Sequence, residues 1–310
     1  MSSELERSYQ YCRQLARDRA RNFYYGFWLL PKPRRDAFCA VYAFMRYCDD
    51  VADGEGGTAE KAARLAEWRQ ALERALEGNY GGSLILPAFH DAIRRYQIPA
   101  EYVNDLIAGT EMDLSIRSYR TFDDLYQYCY RVASVVGLCS LYMMGFRDPQ
   151  AKLLAERCGI AFQLTNILRD LGEDAARGRI YLPLEDLERF GYSPDELARR
   201  VMNPAFRELM RHEIRRARAY YEEAAPLIQM VELESRPALW TLISIYRGIL
   251  GVIERNIEGN TSHRKGGNGS GAFARRASLS GKEKIVLVLR AAAMQLQLWA
   301  GGKPDWRLSA

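Results

Sequence analysis

Gln163-Leu-Thr-Asn166-Ile-Leu-Arg169-Asp170-Leu-Gly-Glu173-Asp174 reads as one helix carrying a polar stripe. At about 100° per residue, Gln163, Asn166, Asp170 and Asp174 fall within an arc of roughly 80°. Around them stand Ile160, Ala161, Phe162, Leu164, Ile167, Leu168 and Leu171. A helix that is apolar around most of its circumference belongs inside a protein. Its carboxylates then need positive partners, because unpaired buried carboxylates are costly and two at i,i+4 repel.

A second stripe repeats the pattern. In Tyr42-Ala-Phe-Met-Arg46-Tyr-Cys-Asp49-Asp50-Val-Ala-Asp53, the residues Tyr42, Arg46, Asp49 and Asp53 share an arc of roughly 60°, and Asp50 points about 100° away. One such stripe is explained equally well by salt bridges, since arginine is plentiful. Two stripes, each with an Asp-x-x-x-Asp pair and amide or arginine companions, point to a magnesium–diphosphate site. Mg²⁺ takes oxygen ligands and is usually held by a few carboxylates plus substrate phosphates. Arg46 and Arg169 are suited to pairing with phosphate oxygens.

The rest of the chain is helical by the same logic. Proline is absent from 34–86, 100–148 and 150–182, and an interior proline costs a helix about 3 kcal/mol. Ser193-Pro194-Asp195-Glu196 has a cap serine, proline at the first helical position and Glu at the third, a capping-box pattern. Asp148-Pro149, Asn203-Pro204 and Thr121 with Asp124 give related caps. No stretch alternates apolar and polar residues between hairpin turns. The pattern predicts ten to twelve helices in one all-α domain over 1–310. A flexible connection at 265–271 (KGGNGSG) precedes a final apolar helix near 282–300 that packs back on the body.

Composition narrows the function. The 310 residues are 48% hydrophobic and 27% charged, which excludes a disordered chain. Lys plus Arg is 44 against 39 Asp plus Glu; a net +5 is too weak to imply nucleic acid and suits anionic small molecules or an anionic membrane surface. Three scattered histidines, His90, His212 and His263, argue against a zinc site or a histidine triad. Six cysteines without a C-x-x-C pair, and no secretory signal, read as reduced thiols in a cytoplasmic protein. The uncharged run 132–146 is shorter than the roughly 20 residues that span a bilayer. Peripheral membrane contact stays open, as does the oligomeric state. Arg207, Arg211, Arg215, Arg216 and Arg218 form a basic helix, read as a solvated face with anionic lipid as an alternative. Gly267 to Ala272 fits G-x-G-x-x-A in letters, but no βαβ pattern surrounds it.

At the two acidic stripes the sequence resembles the squalene/phytoene synthase family, the head-to-head prenyl diphosphate synthases. The resemblance rests on NFYYGFWLLP (22–31), VYAFMRYCDDVAD (41–53), YCYRVASVVG (128–137) and AFQLTNILRDLGEDAARGRIYLP (161–183). It implies an all-α isoprenoid synthase fold around a deep cavity. It implies Asp49, Asp53, Asn166, Asp170 and Asp174 as metal ligands for Mg²⁺, with Gln163 lining the site. Arg46, Arg169, Tyr246 and Arg276 would bind diphosphate, and Tyr130 would be the catalytic tyrosine, with Tyr128 as the alternative. Where relatives carry an S-x-S-F segment this chain has Ala20-Arg21-Asn22-Phe23, so Asn22 and Arg21 would replace the hydroxyls. Phe23, Phe27, Tyr42 and Tyr130 are candidates to stabilise cations, or ordinary core. Glu111 and Asp113, in GTEMDL, are minor candidates to face the cavity.

The implied substrates are prenyl diphosphates, joined through a cyclopropyl diphosphate. Hydride capture from NADPH would then give squalene, proton loss phytoene, and water an alcohol. A squalene-type C30 product from farnesyl diphosphate is expected, because the bulky NFYYGFW segment suits a shorter cavity. Phytoene synthesis from geranylgeranyl diphosphate, C40, is the alternative. A family-fold lipid-binding or assembly protein is the non-enzymatic alternative, disfavoured because both aspartate pairs are intact.

Overall fold

The computed structural model describes residues 3–20, 22–259 and 276–308. Arg21 and the glycine-rich stretch 265–271 lie outside them. Among the described residues there are fifteen α-helices. They are α1 (Ser3–Arg19), α2 (Asn22–Phe27), α3 (Lys32–Asp53), α4 (Thr58–Leu76), α5 (Leu86–Tyr96), α6 (Ala100–Ser115), α7 (Phe122–Cys129) and α8 (Val135–Met144). There follow α9 (Gln150–Ala176), α10 (Leu184–Arg189), α11 (Pro194–Ala198), α12 (Pro204–Ala224), α13 (Leu227–Met230), α14 (Arg236–Glu258) and α15 (Gly281–Trp299). There is no strand among them, only isolated bridges at Ser118–Ile180 and Phe146–Val231. The all-α expectation holds. The count exceeds ten to twelve because α2, α10, α11 and α13 have four to six residues, too short for a 3.6-residue period to show.

The start signals work as their chemistry requires. Thr121 with Asp124 and Ser193 with Glu196 form reciprocal capping boxes. Asn203 accepts a hydrogen bond from the Phe206 amide. Ser280 and Glu283 make a further box at the start of α15, which packs on α14 and α2. At Asp148-Pro149 the helix begins one residue later than the pattern implied; the Asp148 side chain accepts from the Gln150 amide.

Helix α9 is the central pillar, packed on α12, α8 and α14. Its Ile160, Ala161, Leu164, Ile167, Leu168 and Leu171 are buried, as periodicity requires. Between α7 and α8 the chain takes a π-helical turn at Tyr130–Ser134. One wider turn re-aims the side chains that follow it. Here it lets Tyr128 and the later Val132, Ala133 and Val136 line the same cavity. The turn lies tight against α9: Ser134 Oγ donates to the Glu156 carbonyl at 2.8 Å. A Cβ built on Gly159 would stand 2.7 Å from the Ser134 nitrogen. All six cysteines are free and buried.

The arginines of α12 are not a bare cationic face. Arg211 pairs with Glu258 and Glu208 at 2.9 and 2.6 Å, and Arg218 with Glu254. Arg216 lies between Asp186 and Glu213 at 2.9 and 2.6 Å. This satisfies much of the charge within the protein and leaves little reason to place lipid on α12.

Candidate active site

Helices α3, α6, α8 and α9 and the π turn enclose a cavity of about 340 Å³. Its wall is mostly apolar: Phe23 and Phe27 from α2, Phe38, Val41 and Met45 from α3, Phe162 from α9, Leu239 and Leu242 from α14. Its polar lining includes Tyr42, Asp49, Asp113, Tyr128, Gln163 and Asn166. The α3 stripe reaches this cavity through Tyr42 and Asp49 and the α9 stripe through Gln163 and Asn166, whereas Arg46, Asp53, Arg169, Asp170, Asp174 and Arg276 lie outside its lining.

Asp49 is reached by solvent through the cavity, yet protein surrounds it closely. Burial pushes its carboxyl up to about 7; Arg46 opposes this, while Asp53 and Asp113 add repulsion. On α9, burial and then the neighbouring Asp170 charge push Asp174 up to about 7, against Arg179 and Arg177. Asp170 goes the other way. Burial would raise it, but two guanidiniums prevail: Arg169 Nε at 2.8 Å, and Arg276 Nε and Nη2 at 2.7 and 2.8 Å. Asp53 stands near Arg177 and Arg179, at 3.6 and 3.9 Å. Arg46 pairs with Asp50, the carboxylate that points off the stripe.

The donors are oxygens of the kind a hard divalent cation takes, although among the described residues no three of these carboxylates bring ligand atoms within 4.8 Å of one another. The Asn166 amide nitrogen donates to Gln163 Oε1 at 3.2 Å, while Asn166 Oδ1 is buried with no hydrogen-bond partner. An orphaned buried oxygen is uncommon. Here it accompanies Asp49 and Asp174, two carboxyls whose ionised forms lack adequate compensation. Oxygen ligands of this kind are what Mg²⁺ takes, and Asp49, Asp53, Asn166, Asp170 and Asp174 could hold it together with a phosphate.

Other candidates fall outside the lining. Tyr246 is buried, stacked on Phe162 at 4.3 Å and tilted against Phe23 at 5.3 Å. Its hydroxyl is pushed up to about 12 by burial, with Arg169 opposing. It therefore backs the aromatic wall and touches the Arg169 guanidinium. Asn22 is half-buried at the start of α2 and does not line the cavity. Tyr130 does not line it either; it lies near Asp105 and Glu156. Tyr128 does; two positions apart on a helix, the two side chains point about 200° from each other.

Of the two minor candidates in GTEMDL, Asp113 lines the cavity, whereas Glu111 turns away to Arg69 at 3.1 Å. Tyr181, Arg177 and Arg179 gain places that the sequence had not suggested. Tyr181 donates to Asp113 Oδ1 at 2.9 Å, and Tyr128 also hydrogen-bonds that carboxylate. Arg179 reaches the Asp113 carbonyl at 3.3 Å and lies near Asp53, joining the two acidic helices. Arg177, Arg179 and Tyr181 belong to the RGRIYLP end of the quoted 161–183 motif. They sit beyond the end of α9, where helical arithmetic stops. The segment is placed by backbone pairing: Ile180 N donates to Arg117 O at 2.8 Å, and Leu184 N to Tyr119 O at 2.9 Å.

Helices around an apolar cavity, with carboxylates at its polar lining, define an all-α isoprenoid synthase architecture. Solved structures agree. A dehydrosqualene synthase superposes with a TM-score of 0.82 at 28% identity, covering 94% of this chain and 97% of that one. A squalene synthase from Alicyclobacillus acidocaldarius gives 0.77 at 30% identity, covering 83% and 97%. The family model for squalene/phytoene synthase matches residues 16–281. A 15-cis-phytoene synthase of Synechococcus elongatus is 40% identical over 268 residues, 82% of this chain and 86% of that protein. A phytoene synthase of Arthrospira platensis is 41% identical over 265 residues, 80% and 84% respectively. The chain belongs to the squalene/phytoene synthase family, and it is a prenyltransferase of that family.

Proposed function

We propose that the protein joins two molecules of geranylgeranyl diphosphate head to head, through a cyclopropyl C40 diphosphate, to a phytoene-type hydrocarbon. The chemistry is carried by one observation: two carboxylate-bearing helices, α3 and α9, converge on one apolar cavity. The chain length is supported by the relatives, since phytoene synthases are 40–41% identical and the two C30 synthases 28–30%.

This departs from the C30 product expected above. That expectation rested on the bulk of NFYYGFW. Only Phe23 and Phe27 of that segment line the cavity, while Trp28 is 62% exposed. Ala133, Ser140 and Ala155 also line the cavity and are small.

Magnesium, held by Asp49, Asp53, Asn166, Asp170 and Asp174, would supply the positive charge that makes diphosphate a leaving group. The guanidiniums of Arg46, Arg169, Arg179 and Arg276 bind phosphate oxygens. The apolar wall excludes water that would quench an allylic cation, and the rings of Phe23, Phe27, Tyr42 and Phe162 offer their faces to it. The double bond of the second substrate attacks, and proton loss to a departed diphosphate oxygen closes the cyclopropane. Burial raises the Tyr128 hydroxyl well above its ordinary range, so it stays protonated, and its hydrogen bond to Asp113 holds that carboxylate in place at the cavity lining. The cyclopropyl diphosphate then ionises, its C–O bond breaking to release the second diphosphate; rearrangement of the resulting cation and a second proton loss end the sequence without a hydride donor, so NADPH is not needed.

Mass spectrometry of the extracted product tests the reading, with farnesyl and geranylgeranyl diphosphate supplied separately, each with and without NADPH. A C40 product independent of NADPH is expected. A C30 product alone would return the enzyme to the squalene branch. EDTA is expected to stop turnover and Mg²⁺ to restore it; metal-independent turnover contradicts the site. The Mg²⁺ requirement should rise as pH falls through about 7, because Asp49 and Asp174 then hold protons that metal must displace. Tyr128→Phe is expected to lower turnover about a hundredfold, and Tyr130→Phe to leave it near wild type. The reverse order would restore Tyr130 to the site.

A further inference from the structure

Two carboxylates and one guanidinium lie buried together away from the cavity lining. Asp186 of α10 is 3% exposed and Glu213 of α12 is 1%. Between them, Arg216 Nη1 stands 2.9 Å from Asp186 Oδ2 and 2.6 Å from either oxygen of Glu213. The guanidinium lies over the Phe122 ring of α7 at 4.2 Å, and His212 Nε2 closes the group at 3.4 Å from Asp186 Oδ1. None of these residues lines the active-site cavity. Asp186, His212 and Glu213 bring ligand atoms within 4.8 Å of one another, but the place a metal would take is filled by the guanidinium.

Such a group contributes little to stability. Desolvating two carboxylates for one cation costs much of what the pairing returns, and apolar residues of similar volume often hold such a place equally well. What the charges do supply is placement, because α7, α10 and α12 satisfy them in one arrangement.

The element placed is α10, which starts where the RIYLP segment ends. Along this stretch Ile180 N donates to Arg117 O at 2.8 Å, Leu184 N to Tyr119 O at 2.9 Å and Glu185 N to Arg120 O at 3.0 Å. Glu185 Oε1 accepts from the Phe122 amide at 2.7 Å. Asp186 follows directly. At its other end the segment carries Arg179, 3.9 Å from Asp53, and Tyr181, bonded to Asp113 at 2.9 Å. It is held at one end by carboxylates of the candidate site and at the other by Arg216.

We propose that Arg216 is a positioning residue for the reaction. Through Asp186 it fixes residues 179–185, and through them the Tyr181 hydroxyl on Asp113 and the Arg179 guanidinium beside Asp53. Its reach to the chemistry rests on the proposed function; its hold on the segment does not.

Removing Arg216 alone would strand two buried carboxylates and destabilise the protein strongly. The test is therefore the full chain carrying Asp186→Ala, Glu213→Leu and Arg216→Met together, which removes the charges and nearly keeps their summed volume. Its melting temperature should match or exceed that of the wild type. Amide hydrogen exchange, read without substrate, should be at least about tenfold faster at Ile180, Leu184 and Glu185 and unchanged in α14. Turnover of geranylgeranyl diphosphate should fall about tenfold to a hundredfold, the cost of a displacement of about 1 Å. Adding Tyr181→Phe should then cost far less than it does in the wild-type background, because both changes act on Asp113 through one segment. Should the triple variant not fold, Asp186→Asn, which leaves the Arg216–Glu213 pair intact, carries the same readings.

A stable variant with wild-type exchange at 180–185 overturns the proposal. So does wild-type turnover by that variant, which would mark the group as purely structural, and so does full additivity with Tyr181→Phe. Fast exchange in a chain that turns over no prenyl diphosphate would sink the proposed function and leave the hold of Arg216 on the segment standing.

Discussion

Asp170→Asn is expected to lower turnover about a thousandfold while leaving the helices intact. The magnitude is that of removing a well-placed electrostatic group from a water-poor site. Asp170 is the carboxylate on which the cationic side of the site is organised. Arg169 and Arg276 both hold it through two nitrogens, from opposite directions. Asparagine keeps the shape and removes the charge. Two guanidiniums then lose their counter-charge, and a metal loses an anionic oxygen. Helix propensity hardly changes, since Asp and Asn are similar in a helix interior. Steady-state product formation and far-ultraviolet circular dichroism check both halves. Near-normal turnover would remove Asp170 from the metal site, and loss of helix would recast it as a structural anchor for residue 276.

Gly159→Ala is expected to destabilise the protein by about 3 kcal/mol, the upper part of the range for overpacking. The reason is backbone against backbone. A methyl at position 159 would meet the Ser134 Cα, the Ser134 nitrogen at 2.7 Å and the Ala133 carbonyl carbon at 2.9 Å. No side chain can rotate out of the way, so α9 and the π turn must separate. A thermal melt should show a loss of at least about 5 °C. Gly251→Ala in α14 is the contrast, because the nearest atom to its new Cβ is the flexible Arg255 Nη1 at 3.5 Å. That variant should be neutral or gain up to about 1 kcal/mol through the unfolded state. A Gly159→Ala protein as stable as the wild type would mean that the two elements are not locked together. Since Gly159 also lines the cavity, any folded fraction should show altered product length before it shows altered metal dependence.

Much of this was legible from residues alone, and the reason differs with the element. The stripes on α3 and α9 were readable because a helix turns by a constant angle, so spacing along the chain is direction in space. The caps at Thr121, Ser193 and Asn203 were readable because a side-chain oxygen reaches an amide only two or three residues on. Local rules could not reach Tyr181, whose stretch is held by pairing of residues 180–185 with 117–120, some 60 positions away, nor the turn after α9 in which the Arg177 and Arg179 amides return to the Asp174 carbonyl. Nor could they choose between Tyr128 and Tyr130. The two point about 200° apart on a helix, so the choice depends on which face the packing of α7 and the π turn against α9 turns to the cavity.

The sequence by itself determined an all-α fold, the family, and two acidic helix faces with arginine partners, because each follows from local geometry and the cost of leaving charge unpaired; of the acids on the two faces only those of α9 are partly buried, while Asp49 and Asp53 of α3 are exposed. Tertiary structure decided which charges meet. It placed Asp113 in the cavity and Glu111 outside it, gave Arg46 to Asp50 and Arg276 to Asp170, and turned Trp28 out to solvent. Those outcomes depend on helices brought together by long-range packing, where a shift of one residue in register exchanges an inward side chain for an outward one.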